Sequence, residues 1–266
     1  MLCIQENEIP CFITNPFNQL FPLQLEVLSL TDLRVKSLFQ FQMGEEGGSG
    51  ELLHLNLDIK YLYLENLPEL NFIWKGPTGF LSLQKLDHVK VIGCPKLKII
   101  FSTIVVTSLS MLSVLGIHDC DELEQIFDLG DARQLQTLDS SQQLCFPKLY
   151  SIIVKKCNKL KCLFYNLSAS HFPSLSSLQI EECSQLHMAF GFEHEADDGG
   201  EEQTAKKGEQ LLLQKLAHIT LKKLPNFEEI HHGFKLKEDV VHNIEECPKY
   251  SPSLYLHTGK IHMSIF

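Results

Sequence analysis

Four cysteines, Cys94, Cys120, Cys157 and Cys183, recur in one local setting, and Cys247 stands in a weaker copy of it. Thiols can ligate zinc, act as nucleophiles or pair as disulfides, so their spacing decides which chemistry is open to them. A thiolate zinc site needs closely spaced pairs, and no C-x-x-C occurs among the 9 cysteines. The interval is 26 residues from Cys94 to Cys120 and again from Cys157 to Cys183, and Leu67 and Leu224 fill the equivalent place elsewhere. A position that accepts leucine is a packing position, where free cysteine behaves as a small buried hydrophobe. That reading places the chain in a reducing compartment. Cys3, Cys11, Cys145 and Cys162 follow no pattern.

The other reactive types give no constellation. His231 and His232 are adjacent and so cannot share one face of a strand or helix. His194 sits in an acidic, glycine-bearing stretch with no fixed geometry to hold a metal. Asn166-Leu-Ser168 reads as a turn. No Gly-x-Ser-x-Gly elbow and no phosphate-binding G-x-x-x-x-G-K-[ST] loop is present. The expectation is therefore no catalytic residue, no cofactor, no metal and no enzyme.

What surrounds the cysteines is more informative. In FPKLYSIIVKKCNKLKCLF (residues 146–164), Leu149, Ile152, Val154, Leu160, Leu163 and Phe164 take fixed offsets from Cys157. Leu175, Leu178, Ile180, Leu186, Ala189 and Phe190 take the same offsets from Cys183. Further copies centre on Leu33, Leu67, Cys94, Cys120 and Leu224, the first slipping by one residue at Leu38 and Phe39, and a worn copy centres on Cys247 with Ile244 and Tyr250. A generic background of 44% hydrophobic residues does not place apolar residues at six offsets in seven copies. Repeats of this length indicate a solenoid. Apolar residues two apart, as Ile152 and Val154, share one face of a strand. After the anchor the period becomes three, which predicts a tight helical or irregular return. Such a unit cannot bury its apolar side alone, and stacking supplies the shared core.

Length and charge fit this plan. The chain has 266 residues and a net charge of −10, which argues against a general nucleic-acid surface. No apolar run is long enough to span a membrane, and the first twenty residues have no basic leader region. Residues 1–20 are expected to be a partial repeat or an uncapped edge, 21–232 a domain of about seven repeats, and 233–266 a degenerate repeat with a terminal tail. Polar insertions interrupt the period near 42–51, 128–145 and 191–210. The second could hold a short helix at 131–138, and the third is acidic and should be solvated.

The segments FPKLYSIIVKKCNKLKCLF, FPSLSSLQIEECSQL, VIGCPKLKIIF and NLPELNFIWKG resemble the leucine-rich repeats of plant intracellular disease-resistance proteins, the coiled-coil, nucleotide-binding receptor family. The resemblance covers about residues 21–232. It implies an α/β solenoid, a horseshoe with a parallel concave sheet and a mostly irregular or short-helical convex side. It also implies a cytoplasmic module that recognises a pathogen effector or a guarded host protein and makes autoinhibitory contacts. The nucleotide switch of such receptors is not encoded in these residues. A leucine-rich-repeat adaptor of another pathway, such as substrate recognition in ubiquitin transfer, is the second reading.

On either reading the strand residues between the inward ones form a grid on the concave face. The candidate partner-binding residues are Tyr61, Tyr63, Glu65, His88, Lys90, His118, Ser151, Lys155, Gln179, Glu181, His218 and Lys222. Tyrosines mark the amino-terminal end, and tyrosine is a frequent interface anchor. Lysines recur at Lys155, Lys156, Lys222 and Lys223. A protein is the expected partner.

Overall fold

Alternation of period two lays the chain out as strands that pair in register. A computed structural model of the chain describes residues 2–4, 9–13, 25–40, 55–75, 81–129, 145–165, 167, 169–191, 213, 215–230, 239–250 and 263–264. Ten strands form one sheet in chain order: Leu2–Ile4, Val27–Thr31, Tyr61–Glu65, His88–Ile92, Val114–His118, Ser151–Lys155, Ser177–Glu181, His218–Lys222, Val241–Glu245 and Met263–Ser264. Every pairing in this sheet is parallel. Ile152 pairs with Leu178 and Leu178 with Ile219, so equivalent inward residues sit on neighbouring rungs. In the Ser151–Lys155 strand Ile152 and Val154 are buried while Ser151, Ile153 and Lys155 keep contact with solvent. The worn copy around Cys247 is a further rung, with Tyr250 packed 5.5 Å from Phe227.

The return segment differs in part from the helical or irregular crossing that its period suggested. Its first half is a tight turn in which a backbone N–H reaches back three residues, as from Leu160 to Cys157 and from Leu186 to Cys183. Its second half is extended. Ile99–Phe101 pairs with Gln125–Phe127, Cys162–Tyr165 with Met188–Gly191, and Ile9–Ile13, Val35–Gln40 and Phe72–Lys75 form a three-stranded sheet. The reason is stacking: residues such as Phe164 and Phe190 from adjacent units lie a strand spacing apart, so their backbones can bond. Helix among the described residues is confined to Thr103–Val106 and a 3-10 turn at Ala169–His171. The expected helix at 131–138 and the insertion 42–51 lie outside the described residues, as does nearly all of 128–145 and of 191–210.

The core fills the space between the front sheet and these back strands. Phe101, Phe127, Phe146, Phe164, Phe172 and Phe190 form a continuous stack, with ring centroids 4.7 Å apart for Phe127–Phe146 and for Phe164–Phe172. Phe39 lies flat on Trp74 at 4.6 Å, which absorbs the one-residue slip of the first copy. Fully burying each such ring is worth about 1.5–3 kcal/mol.

One device was hidden from the sequence. The residue before each anchor has a left-handed backbone: Asp32, Asn66, Gly93, Asp119, Lys156, Glu182, Lys223 and Glu246, with φ between 51° and 62°. The corner N–H then points along the solenoid and donates to the carbonyl of the next rung's last residue. Examples are Asp119 to Lys155 at 3.0 Å, Lys156 to Glu181 at 2.9 Å and Glu182 to Lys222 at 2.9 Å. Only one of the eight corners is glycine, although a side chain in this region costs about 1–2 kcal/mol. Replacing Lys156 by glycine is therefore expected to raise stability by about 0.5–1 kcal/mol, since its surface pair with Asp119 is worth little. Lys155→Gly, one residue earlier in the strand, is expected to lower stability by a similar amount. Denaturant midpoints of the two variants check this, and equal signs would refute the role of the corner.

The Val241–Glu245 rung departs from the pattern. His242 pairs with Ile219 and stands where other rungs bury an aliphatic residue. Burial lowers its pKa. The folded form therefore resists protonation, and this rung loses stability as pH falls through the ordinary imidazole range, while above it the contribution is intact. His242→Ile is expected to raise the melting temperature at pH 7 and to raise it further at about pH 5. A gain that does not grow on acidification would exclude His242 as the titrating group.

Candidate partner-binding face

Because no rung slips, the outward residues fall into three rows. The first runs Val27, Tyr61, His88, Val114, Ser151, Ser177, His218, Val241. The second runs Ser29, Tyr63, Lys90, Gly116, Ile153, Gln179, Thr220, Asn243, and the third Thr31, Glu65, Ile92, His118, Lys155, Glu181, Lys222, Glu245. All twelve candidate residues from the sequence stand on this one face. Among the described residues no helix covers it.

The face has two unlike halves. At the amino-terminal end Tyr61 stacks on Tyr63 at 6.3 Å and packs against His88 at 5.2 Å. His88 Nδ1 lies 3.1 Å from Asp87 Oδ2. Gly116 leaves a gap in the second row, and the Lys90 stem leans toward it, its Cγ 3.8 Å from where a Cβ on Gly116 would sit. Burial, then the charges of Lys155 and Lys90, lower the pKa of His118 and favour its neutral form.

Toward the carboxyl-terminal end the third row alternates in charge and pairs within itself. Lys155 Nζ lies 3.2 Å from Glu181 Oε2 and Lys222 Nζ 3.1 Å from Glu245 Oε1. Burial pushes the Glu181 carboxyl up, but a hydrogen bond from Gln179 Nε2 and the Lys155 and Lys222 charges outweigh it, so its pKa is lowered. The recurring lysines of the sequence are thus not a basic patch. Lys156 and Lys223 stand at the left-handed corners and pair with Asp119 and Glu182 at 3.6 and 3.4 Å. Sequence reasoning saw the lysines but not their partners, which lie on adjacent rungs and outside the repeated offsets.

A second ladder was also missed. Asn158 Nδ2 donates to Asp121 Oδ1 at 3.0 Å while its Oδ1 accepts from the Ser184 N–H at 3.3 Å. Asn226 Nδ2 donates to the Ser184 carbonyl at 2.9 Å and its Oδ1 accepts from Lys249 at 2.8 Å. Each asparagine amide staples neighbouring units. The signal was a polar residue one or two places after the anchor, at Asp121, Asn158, Ser184, Asn226 and Lys249, which reads as solvated surface in one dimension.

The cysteine column is a core feature. Cys94, Cys120, Cys157 and Cys183 are wholly buried, and each thiol donates to the carbonyl two residues back, at 3.6, 3.3, 3.4 and 3.4 Å. Contacts with the Cys120 and Cys183 thiols, then burial, push the Cys157 thiol well up, and burial pushes Cys162 up to about 12. Thiolate is the reactive form, so Cys157 and Cys162 are inert in the fold, while Cys120 and Cys183, whose pKa the contact with the Cys157 thiol lowers, are kept from reagents by complete burial. Among the described residues no cluster of His, Cys, Asp or Glu could hold a metal ion, and no helix is long and apolar enough to cross a membrane. His194, His231 and His232 lie outside the described residues. Iodoacetamide at about pH 8 is expected to leave Cys157 and Cys162 unmodified until the chain unfolds, while the partly exposed Cys145 reacts in the native state. Native-state labelling of Cys157 faster than Cys145, read by peptide mass, would overturn the packing role.

Comparison with known proteins gives the same answer as the geometry. The family of plant disease resistance proteins described as RPS2-like leucine-rich repeats matches residues 11–121 and 132–244. A probable disease resistance protein of Arabidopsis thaliana is 31% identical over 133 residues, which cover 49% of this chain and 13% of that protein. The chain thus spans a small part of the length of this relative. No solved structure matches. With a family match over most of its length and a stacked parallel solenoid beneath it, the chain belongs to the leucine-rich-repeat family of RPS2-like plant disease resistance proteins.

Proposed function

We propose that the open face is the recognition surface of a cytoplasmic plant immune receptor. It binds a pathogen effector or a host protein that the receptor guards, and in the resting state it contacts other parts of the receptor. The observation that carries this reading is a long parallel sheet with one face that no helix covers among the described residues. Parallel sheets are ordinarily buried on both sides, so one left open to water invites a partner. Membership in a disease-resistance repeat family supports the setting. The Arabidopsis relative is itself described as a probable disease resistance protein. The buried thiol column suits a reducing compartment. The face offers tyrosine anchors and half-buried aliphatic side chains, which suit protein contact rather than turnover. An adaptor role in ubiquitin transfer has no observation in its favour here.

The test is co-precipitation from plant tissue, challenged and unchallenged, with the native chain and with Tyr61, Tyr63 and Lys155 together changed to alanine. Proteins recovered by the native chain are expected to drop about tenfold or more with the triple variant while its melting temperature stays within a few degrees. Undiminished recovery would place the contact off this face. An in-frame nucleotide-binding domain in the gene would favour the receptor over the adaptor.

A further inference from the structure

The two halves of the open face differ in what docking would cost them. Between Lys155 and Glu245 the third row is self-satisfied, lysine against glutamate on successive rungs. A partner laid there must desolvate those pairs and gains no unmet charge in return. In the amino-terminal half the balance is reversed. Lys90 is exposed, and among the described residues no carboxylate lies within ion-pairing distance of it, unlike Lys155 and Lys222.

Around Lys90 the surface is aromatic and aliphatic. Tyr63 is its neighbour on one side in the second row, and Gly116 with Ile153 beyond it on the other. Nothing in the backbone requires glycine at 116. Its φ is not in the left-handed region, and an added Cβ would meet nothing closer than 3.8 Å. The missing side chain leaves a shallow recess, closed over by the Lys90 stem so that Gly116 is buried, beside an ammonium that no carboxylate pairs among the described residues.

We propose that this recess between Tyr63, Lys90 and Gly116 receives a single aspartate or glutamate side chain flanked by apolar residues on a partner protein. The carboxylate pairs with Lys90, and the apolar flanks lie on the Tyr61–Tyr63 pair and on Ile153. The chain's net charge of −10 repels a broadly acidic surface at long range, so the carboxylate must be isolated in an otherwise apolar or basic segment. This inference rests on the open face being the recognition surface and narrows it to one half and one chemistry.

His118 gives the site a second signature. The groups facing it are Lys90 and Ile92 on one strand, Lys155 and Ile153 on the other, Gly116 on its own strand, and Asp119 and the Cys120 thiol just after it. In the free protein its pKa is lowered, with burial first and the Lys155 charge second. A docked carboxylate raises that pKa, so the complex holds more protons than the free chain. Affinity then rises as pH falls from about 7 to about 5.

The test is selection of a phage-displayed library of random linear peptides on the full chain, followed by titration of the enriched peptides. Enriched sequences are expected to place one Asp or Glu beside aromatic or aliphatic residues. Their affinity is expected to fall at least tenfold with Lys90→Glu and with Tyr63→Ala, to be kept within about threefold with Lys90→Arg, and to be unchanged with Lys222→Ala. It should rise on acidification, and that rise should vanish with His118→Gln. Absence of enrichment, enriched peptides without a carboxylate, or indifference to Lys90→Glu would each overturn the inference. Peptides lost with Gln179→Ala or Thr220→Lys but not with Lys90→Glu would leave the open face as the recognition surface and remove only this recess. Peptides indifferent to every variant on the face would remove both.

Discussion

Register is the constraint on which this molecule depends. A unit of one short strand and one return has an apolar side it cannot cover, and it becomes stable only when the next unit lies on it without a slip. From Val27 to Glu245 the front strands pair five residues to five, so each sequence offset becomes a physical column. The thiol column, the phenylalanine stack and the three outward rows are one fact seen at different offsets. A slip of a single residue would turn Ile152 outward and Ser151 inward, and would do so on that rung alone. The left-handed corners guard against it. Seven of the eight tie the end of one rung to the last carbonyl of the next, which fixes where the strand stops.

The eight corners also explain how the solenoid tolerates unsuitable residues. Lys156, Glu182 and Lys223 have no special fitness for positive φ. They persist there because the hydrogen bond and the rungs on either side over-determine the backbone, which is the condition under which local strain survives. At Gly93 the same corner meets a further limit, since a Cβ would come within 2.7 Å of Asn66 Oδ1.

This accounts for what was legible beforehand. The strands, their inward faces and the twelve outward residues follow from a period of two about a fixed anchor, and Ile152, Leu178 and Ile219 align as that period requires. The back strands were hidden because Ile-Phe or Leu-Phe after a three-residue period reads equally as a helical turn, and only lateral stacking makes Cys162–Tyr165 extended. The corners were hidden because seven of eight are not glycine. The pairing of Lys155 and Lys222 was hidden because their charge partners, Glu181 and Glu245, lie on the next unit, and only the register sets them side by side. What remained visible at Tyr61, Tyr63 and Lys90 was residue type, and the structure adds that these three lie together, in a part of the face where no lysine pairs with a carboxylate of the same face among the described residues.

The lengths of the two connections within a unit carry the last step. From the end of a front strand to the paired residue of its back strand the path is the same in six units, Glu65 to Phe72, Ile92 to Ile99, His118 to Gln125, Lys155 to Cys162, Glu181 to Met188, and Lys222 to Glu229 at an isolated bridge, and one residue shorter in the first, Thr31 to Ser37. The corner hydrogen bond explains the constancy, since an added residue there would break it. From the back strand to the next front strand the path varies, short from Tyr165 to Ser177 and long from Phe127 to Ser151 and from Gly191 to His218. Loop closure makes such lengthening thermodynamically cheap. All of this variation enters the front sheet beside its first row, where Tyr61, His88 and Val114 stand and where Met111 and Tyr150 are already exposed. The face is therefore bounded by a fixed edge of corners and a permissive edge of connections, and contacts can be altered along the permissive edge without disturbing the register that holds the core.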